Sequence, residues 1–131
     1  MTAAKILVVE DEHSIADIYQ FKLSNHGYEV QCAFNGLEGL EQAESFQPDL
    51  ILLDLRMPHM SGDEMLQKLR ETDWGSSIRV IILTNISREE APSSLRLLHV
   101  DRYIVKAHHT PAQVLQIVQE VLGTPEAATA K

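Results

Sequence analysis

The chain has 131 residues, the size of one domain that buries enough surface to fold without disulfides. Eleven basic residues against nineteen acidic ones give a formal net charge of −8 with no Lys/Arg cluster, which argues against direct binding of a nucleic-acid backbone. No apolar run approaches the ~20 residues of a membrane span, and MTAAKILVVEDE meets acid after about four apolar residues, too few for a signal-peptide core.

A cytoplasmic chain without membrane insertion is therefore expected. The first predicted strand is KILVVE from Lys5, and Ala16, Tyr19 and Leu23 mark a first helix. YEVQCA from Tyr28 is the second strand. It carries the lone Cys32, which has no partner for an internal disulfide and reads as a small core hydrophobe in a reducing compartment. After the Asn35-Gly36 punctuation, Leu37 and Leu40 mark a second helix. LILLD from Leu50 is the third strand. It leads through Met57-Pro58 to Ser61-Gly62-Asp63-Glu64, a capping-box spacing ahead of the stripe Met65, Leu66 and Leu69. Trp74-Gly75 closes the loop after this helix, and IRVIILT from Ile78 is the fourth strand. Ser87-Arg88-Glu89-Glu90 also has capping-box spacing, but Pro92 falls inside the helix it would start and disfavours helical geometry at Ala91. The expectation there is a short helix starting near Pro92, or a frayed one. RYIVK from Arg102 is the fifth strand. Thr110-Pro111-Ala112-Gln113 then supplies an N-cap, a first-turn proline and a third-position glutamine ahead of Val114, Ile117 and Val121.

Runs such as ILVV, LILL and VIIL are apolar at consecutive positions, as strands covered on both faces require. Strands alternating with helices give right-handed βαβ units, so the expected fold is a doubly wound, five-stranded parallel sheet of the α/β class over residues 1–122. The small, polar segment 123–131, GTPEAATAK from Gly123, reads as a flexible tail or a linker stub.

In such sheets ligands bind beyond the carboxyl ends of the strands. Strand one ends at Glu10-Asp11, strand three at Asp54, strand four at Thr84 and strand five at Lys106. Each has a plainer reading alone: a helix cap, a strand residue, a solvated charge. Together they form a constellation. Carboxylates about 4 Å apart repel by ~4 kcal/mol per pair at an effective dielectric of 20, so the cluster calls for a cation. Few, hard oxygen ligands with room for water and a phosphoryl group describe a Mg²⁺ site. Asp54, between that metal and the Lys106 ammonium, is placed as a nucleophile towards phosphorus.

Glu10-Asp11 after KILVV, Asp54 in LILLDLRMPHMSG, Thr84 ending VIILT and Lys106 in YIVK resemble the response regulator receiver domain of two-component signalling over about 5–122. The resemblance implies a flavodoxin-like (βα)5 fold with strand order 2-1-3-4-5. It also implies phosphorylation of Asp54, with Mg²⁺ held by Asp11, Asp54, the Arg56 carbonyl and, through water, Glu10. Thr84 and Lys106 would bind phosphoryl oxygens, and Tyr103 would be the switch aromatic. The implied partners are a histidine kinase or histidine phosphotransfer protein and a downstream protein target, with a homodimer through the helix 4, strand 5, helix 5 face. The chain would be a switch rather than an enzyme, with intrinsic autophosphorylation and autodephosphorylation.

Three positions depart from the family pattern. Ala107 follows the lysine where proline is common, and a cis bond there would cost ~2.5 to 4 kcal/mol. Asn85 follows the threonine where a small residue is usual, and His99 stands where glycine is frequent. His108-His109 reads as exposed loop, since adjacent side chains diverge, while His13 lies beside the acid pair where it would tune access. An aspartate-nucleophile phosphatase would need a second carboxylate two residues after Asp54, and Arg56 is there. A flavin-binding protein of the same fold would need a phosphate loop after strand one, and EDEHS would repel phosphate. A receiver excised from a larger regulator or hybrid kinase remains compatible with the tail.

Overall fold

Alternate residues of a strand point to opposite faces, so a strand without polar positions is stable only when both faces are covered. In the computed structural model, which describes residues 3–123, β1 (Lys5–Val9), β3 (Leu50–Leu53) and β4 (Arg79–Thr84) have unbroken apolar runs of this kind at residues 6–9, 50–53 and 80–83. Leu7, Val9, Ile51, Leu53, Val80 and Ile82 enter one core, while Ile6, Val8, Leu50, Leu52, Ile81 and Leu83 enter the other. The first core is covered by α2 (Gly36–Phe46) and α3 (Gly62–Arg70), through Ala43, Phe46, Met65, Leu66 and Leu69. The second is covered by α1 (His13–Ser24) and α4 (Pro111–Leu122), through Tyr19, Leu23, Val114, Leu115 and Val118. With β2 (Glu29–Ala33) and β5 (Arg102–Val105) as edges, all pairs are parallel in the expected order β2-β1-β3-β4-β5. Beyond Gly123 the expected tail lies outside the described residues. Among those residues no helix is long and apolar enough to cross a membrane.

Cys32 is half-buried against the second core, and burial together with the Asp17 charge pushes its thiol up to about 11. A thiol so rarely ionised at neutral pH is packing material rather than a nucleophile.

The helix starts follow their caps unevenly. Thr110 and Gln113 form the expected capping box on α4, and Asn35 accepts the Glu38 N–H at 2.9 Å on α2. Ser61 makes no capping hydrogen bond, so the box expected on α3 does not form. That helix is instead set by close contact at Gly62, described below.

Among the described residues four α-helices stand where (βα)5 implies five. The fourth crossover is two 3-10 turns, Arg88–Glu90 and Ser93–Leu97, with Ala91 extended between them at ψ 148° because Pro92 follows. Ser87 does not cap the first turn; its hydroxyl bonds the Glu90 carboxylate instead, at 3.2 Å. Arg70, at the end of α3, holds the crossover from outside. Its guanidinium donates to the carbonyls of Leu98 (2.7 Å), His99 (2.7 Å), Ile78 (2.7 Å), Gly75 (3.0 Å) and Ser76 (3.4 Å). His99 is left-handed, with φ 57°, which accounts physically for the glycine frequent at this place. His99→Gly is expected to stabilise the protein by about 0.5 to 1 kcal/mol, the left-handed penalty less the added entropy of the unfolded chain. Urea denaturation checks it; a loss of stability would mean the imidazole packs usefully.

Candidate functional site

The register sets the strand ends side by side: Val9 pairs Leu53, Leu53 pairs Ile82 and Thr84 pairs Val105. The next residues along, Glu10 and Asp11 after β1, Asp54 after β3 and Lys106 after β5, therefore converge on one edge. α3 starts hard against it. The Gly62 N–H donates to the Leu55 carbonyl at 2.9 Å, and a Cβ on Gly62 would stand 2.1 Å from the Asp54 carbonyl oxygen.

Glu10, Asp54 and Thr84 are all buried. The Lys106 ammonium donates to Asp54 Oδ2 at 3.1 Å and to Glu10 Oε1. Asp54 Oδ1 takes the Arg56 N–H at 3.4 Å, and Glu10 Oε2 takes the Glu12 N–H at 3.2 Å. Burial pushes the Glu10 carboxyl up to about 7, against the Lys106 bond and with help from the Asp54 charge. Desolvation works against the Lys106 ammonium, yet its bond to Glu10 and the charge of Asp54 outweigh it and hold the group above the usual lysine value. One oxygen from each of Glu10, Asp11 and Asp54 lies within 4.8 Å of the others. Three carboxylates face one ammonium, and this hard, oxygen-only donor set could hold a small divalent cation.

The remaining predicted residues fall around this centre. The Arg56 backbone borders it through the N–H on Asp54, while its side chain is exposed. Thr84 ends β4, its hydroxyl accepting the Ile86 N–H at 3.5 Å. Tyr103 is half-buried on β5, and its hydroxyl donates to the carbonyls of Ile86 (2.6 Å) and Ser87 (3.3 Å). The ring is thus tied to the segment that follows Thr84. Asn85 is exposed, as is His108; His109 is partly buried with Nδ1 3.3 Å from the Val105 carbonyl. Among the described residues no peptide bond is cis, so Lys106-Ala107 is trans.

Compared with known proteins, residues 6–119 match the response regulator receiver domain. The chain belongs to the response regulator receiver family. The receiver is 37% identical over 125 residues to the alkaline phosphatase synthesis transcriptional regulatory protein PhoP of Bacillus subtilis, covering 95% of this chain and 50% of that protein. It is 40% identical over 108 residues to the transcriptional regulatory protein YkoG of the same organism, covering 81% and 46%. It therefore spans about half the length of these relatives. The structure of the chemotaxis response regulator CheY4 of Vibrio cholerae superposes with a TM-score of 0.84 at 30% identity, over 92% of this chain and 99% of that one.

Two side-chain arrangements at the centre of the receiver were among those that sequence reasoning missed. Arg88, read there as part of a capping box, has its guanidinium 5.7 Å over the Tyr103 ring and donates to the Tyr103 carbonyl at 3.2 Å. The direct bond between Glu10 and Lys106 was also not anticipated, because Glu10 was assigned to the metal alone. No local pattern signals either one; both join residues far apart in the chain.

Proposed function

We propose that this receiver accepts a phosphoryl group on Asp54 from a phosphohistidine of a histidine kinase or histidine phosphotransfer protein, and that the change alters which proteins it binds. The observation that carries the reading is the placement of the Asp54 carboxylate, 3.1 Å from the Lys106 ammonium and within 4.8 Å of the Glu10 and Asp11 oxygens. Asp11, Asp54, the Arg56 carbonyl and, through water, Glu10 would hold Mg²⁺. When bound, it supplies positive charge to the phosphoryl oxygens.

An Asp54 oxygen attacks phosphorus while the P–N bond to the donor imidazole breaks; the ring nitrogen keeps the electron pair and takes a proton from solvent. Lys106 turns from Asp54 Oδ2 to a phosphoryl oxygen. The Thr84 hydroxyl leaves the Ile86 N–H for another. Since Tyr103 is bonded to the carbonyl of that same Ile86, movement of the segment after Thr84 is coupled to the ring. Water attack on the aspartyl phosphate later restores the carboxylate, so the protein is a self-resetting switch rather than an enzyme acting on a separate substrate. The net charge of −8 favours a protein over DNA as its direct target, and a cytoplasmic setting fits a kinase partner. Association, including homodimerisation, would use the face formed by the fourth crossover, β5 and α4, where Leu97 on the second 3-10 turn is 82% exposed.

Incubation with acetyl phosphate and Mg²⁺ is expected to add one phosphoryl group by intact mass spectrometry. The adduct should vanish in Asp54→Asn and with excess chelator. An adduct that survives in Asp54→Asn would overturn the assignment.

A further inference from the structure

α1 begins without a side-chain cap: Glu12 occupies the N-cap position and makes no capping hydrogen bond. The next residue, His13, lies flat against Phe34, with ring centroids 3.8 Å apart and planes 4° from parallel. Phe34 is itself well anchored. Its N–H donates to the Glu38 carboxylate at 3.0 Å, and the Glu38 N–H donates in turn to Asn35 Oδ1 at 2.9 Å. One residue earlier, the Ala33 carbonyl takes the Glu10 N–H at 2.9 Å. The end of β2 and the start of α2 are therefore a fixed point beside the acidic centre, and His13 reaches to it from the first position of α1, just after the loop between β1 and α1.

That loop carries Asp11, two residues before His13. Of the three clustered carboxylates, Glu10 and Asp54 are buried and held by Lys106, whereas Asp11 is only partly buried. Among the described residues no hydrogen bond or ion pair fixes the Asp11 side chain. Its placement depends on the backbone of its loop, which the Glu10 carboxylate ties through the Glu12 N–H at 3.2 Å and which the ring stack fastens where α1 begins. We propose that the His13–Phe34 stack is a positioning device that sets Asp11 for the divalent cation; this rests on the reading of Glu10, Asp11 and Asp54 as the metal site. His13 acts here through its flat ring and through Asp11, without touching the phosphoryl group, so another flat ring at position 13 would serve.

The test is calorimetric titration with Mg²⁺ of the wild type, His13→Ala, His13→Phe, Phe34→Ala and Asp11→Asn, beside amide hydrogen exchange at residues 11–14 in the metal-free proteins. His13→Ala and Phe34→Ala should weaken Mg²⁺ binding by about threefold to tenfold, the worth of one aromatic pair. Exchange at residues 11–14 should quicken in both, with the global unfolding midpoint near that of the wild type. His13→Phe should restore both readouts. Wild-type affinity in His13→Ala, beside a crippled Asp11→Asn, overturns this inference alone. A His13→Ala defect that His13→Phe does not repair overturns it too, because the ring is then not the cause. A wild type that takes up no Mg²⁺, or an Asp11→Asn that binds it unchanged, overturns the metal-site reading and this inference with it.

Discussion

Lys106→Ala should lower the unfolding free energy of the Mg²⁺-free protein by about 3 to 5 kcal/mol, the usual cost of removing one partner from a buried ion pair. The Lys106 ammonium is shared by two buried carboxylates, Glu10 and Asp54, and the alanine would leave both without a cation. The loss is limited from one side: Glu10, already pushed up to about 7, can take a proton once its partner is gone. Asp54→Asn acts in the opposite direction. It removes one of three clustered negative charges while Lys106 keeps Glu10, so it should match or exceed the wild type in stability while losing the phosphoryl group. Urea denaturation without metal compares the two. Lys106→Ala as stable as the wild type would mean that the carboxylates are neutralised by some other route.

Gly62→Ala should damage both fold and site, at about 3 kcal/mol or more, the upper range of overpacking costs. The new methyl would stand 2.1 Å from the Asp54 carbonyl oxygen and 2.9 Å from Leu55 Cα. Both are backbone atoms, so no side-chain rotation relieves the contact. Either α3 withdraws or the chain carrying Asp54 moves, and phosphoryl acceptance should fall along with stability. Gly39→Ala is the matched control. Its methyl would meet Met65 Sδ at 2.8 Å, the flexible end of a side chain, and alanine gains helix propensity within α2. Equal losses in the two variants would show that helix packing in general, rather than the approach to Asp54, sets the cost.

The strands were legible because both faces of the sheet are covered, which leaves an unbroken apolar run as the signature of β1, β3 and β4. The strand-end residues were legible for a related reason: in a parallel sheet every strand delivers its last residue to the same edge, so five separate positions predict one cluster. Capping was legible only in part. Thr110 caps α4 as its spacing predicts, whereas Ser61 has the same kind of spacing and caps nothing, because the contact of Gly62 with the Asp54 backbone positions α3 there. Pro92 correctly marked a weak fourth helix without revealing that two 3-10 turns replace it. Least legible were Arg70, Arg88 and the His13–Phe34 stack. Each is a side chain reaching across tertiary space, and periodicity carries no trace of such contacts.

The two 3-10 turns between β4 and β5 contain few backbone hydrogen bonds of their own, and the crossover is held by Leu95, buried in the first core, and by two guanidinium groups: Arg70 on its far end, Arg88 on the β5 edge. Opening it costs the burial of Leu95 and these side-chain bonds, less than opening the doubly covered strands. A protein that docks on this face meets a backbone that opens more readily than the sheet, so its affinity is set as much by how firmly Leu95 and those two arginines hold as by the surface it touches.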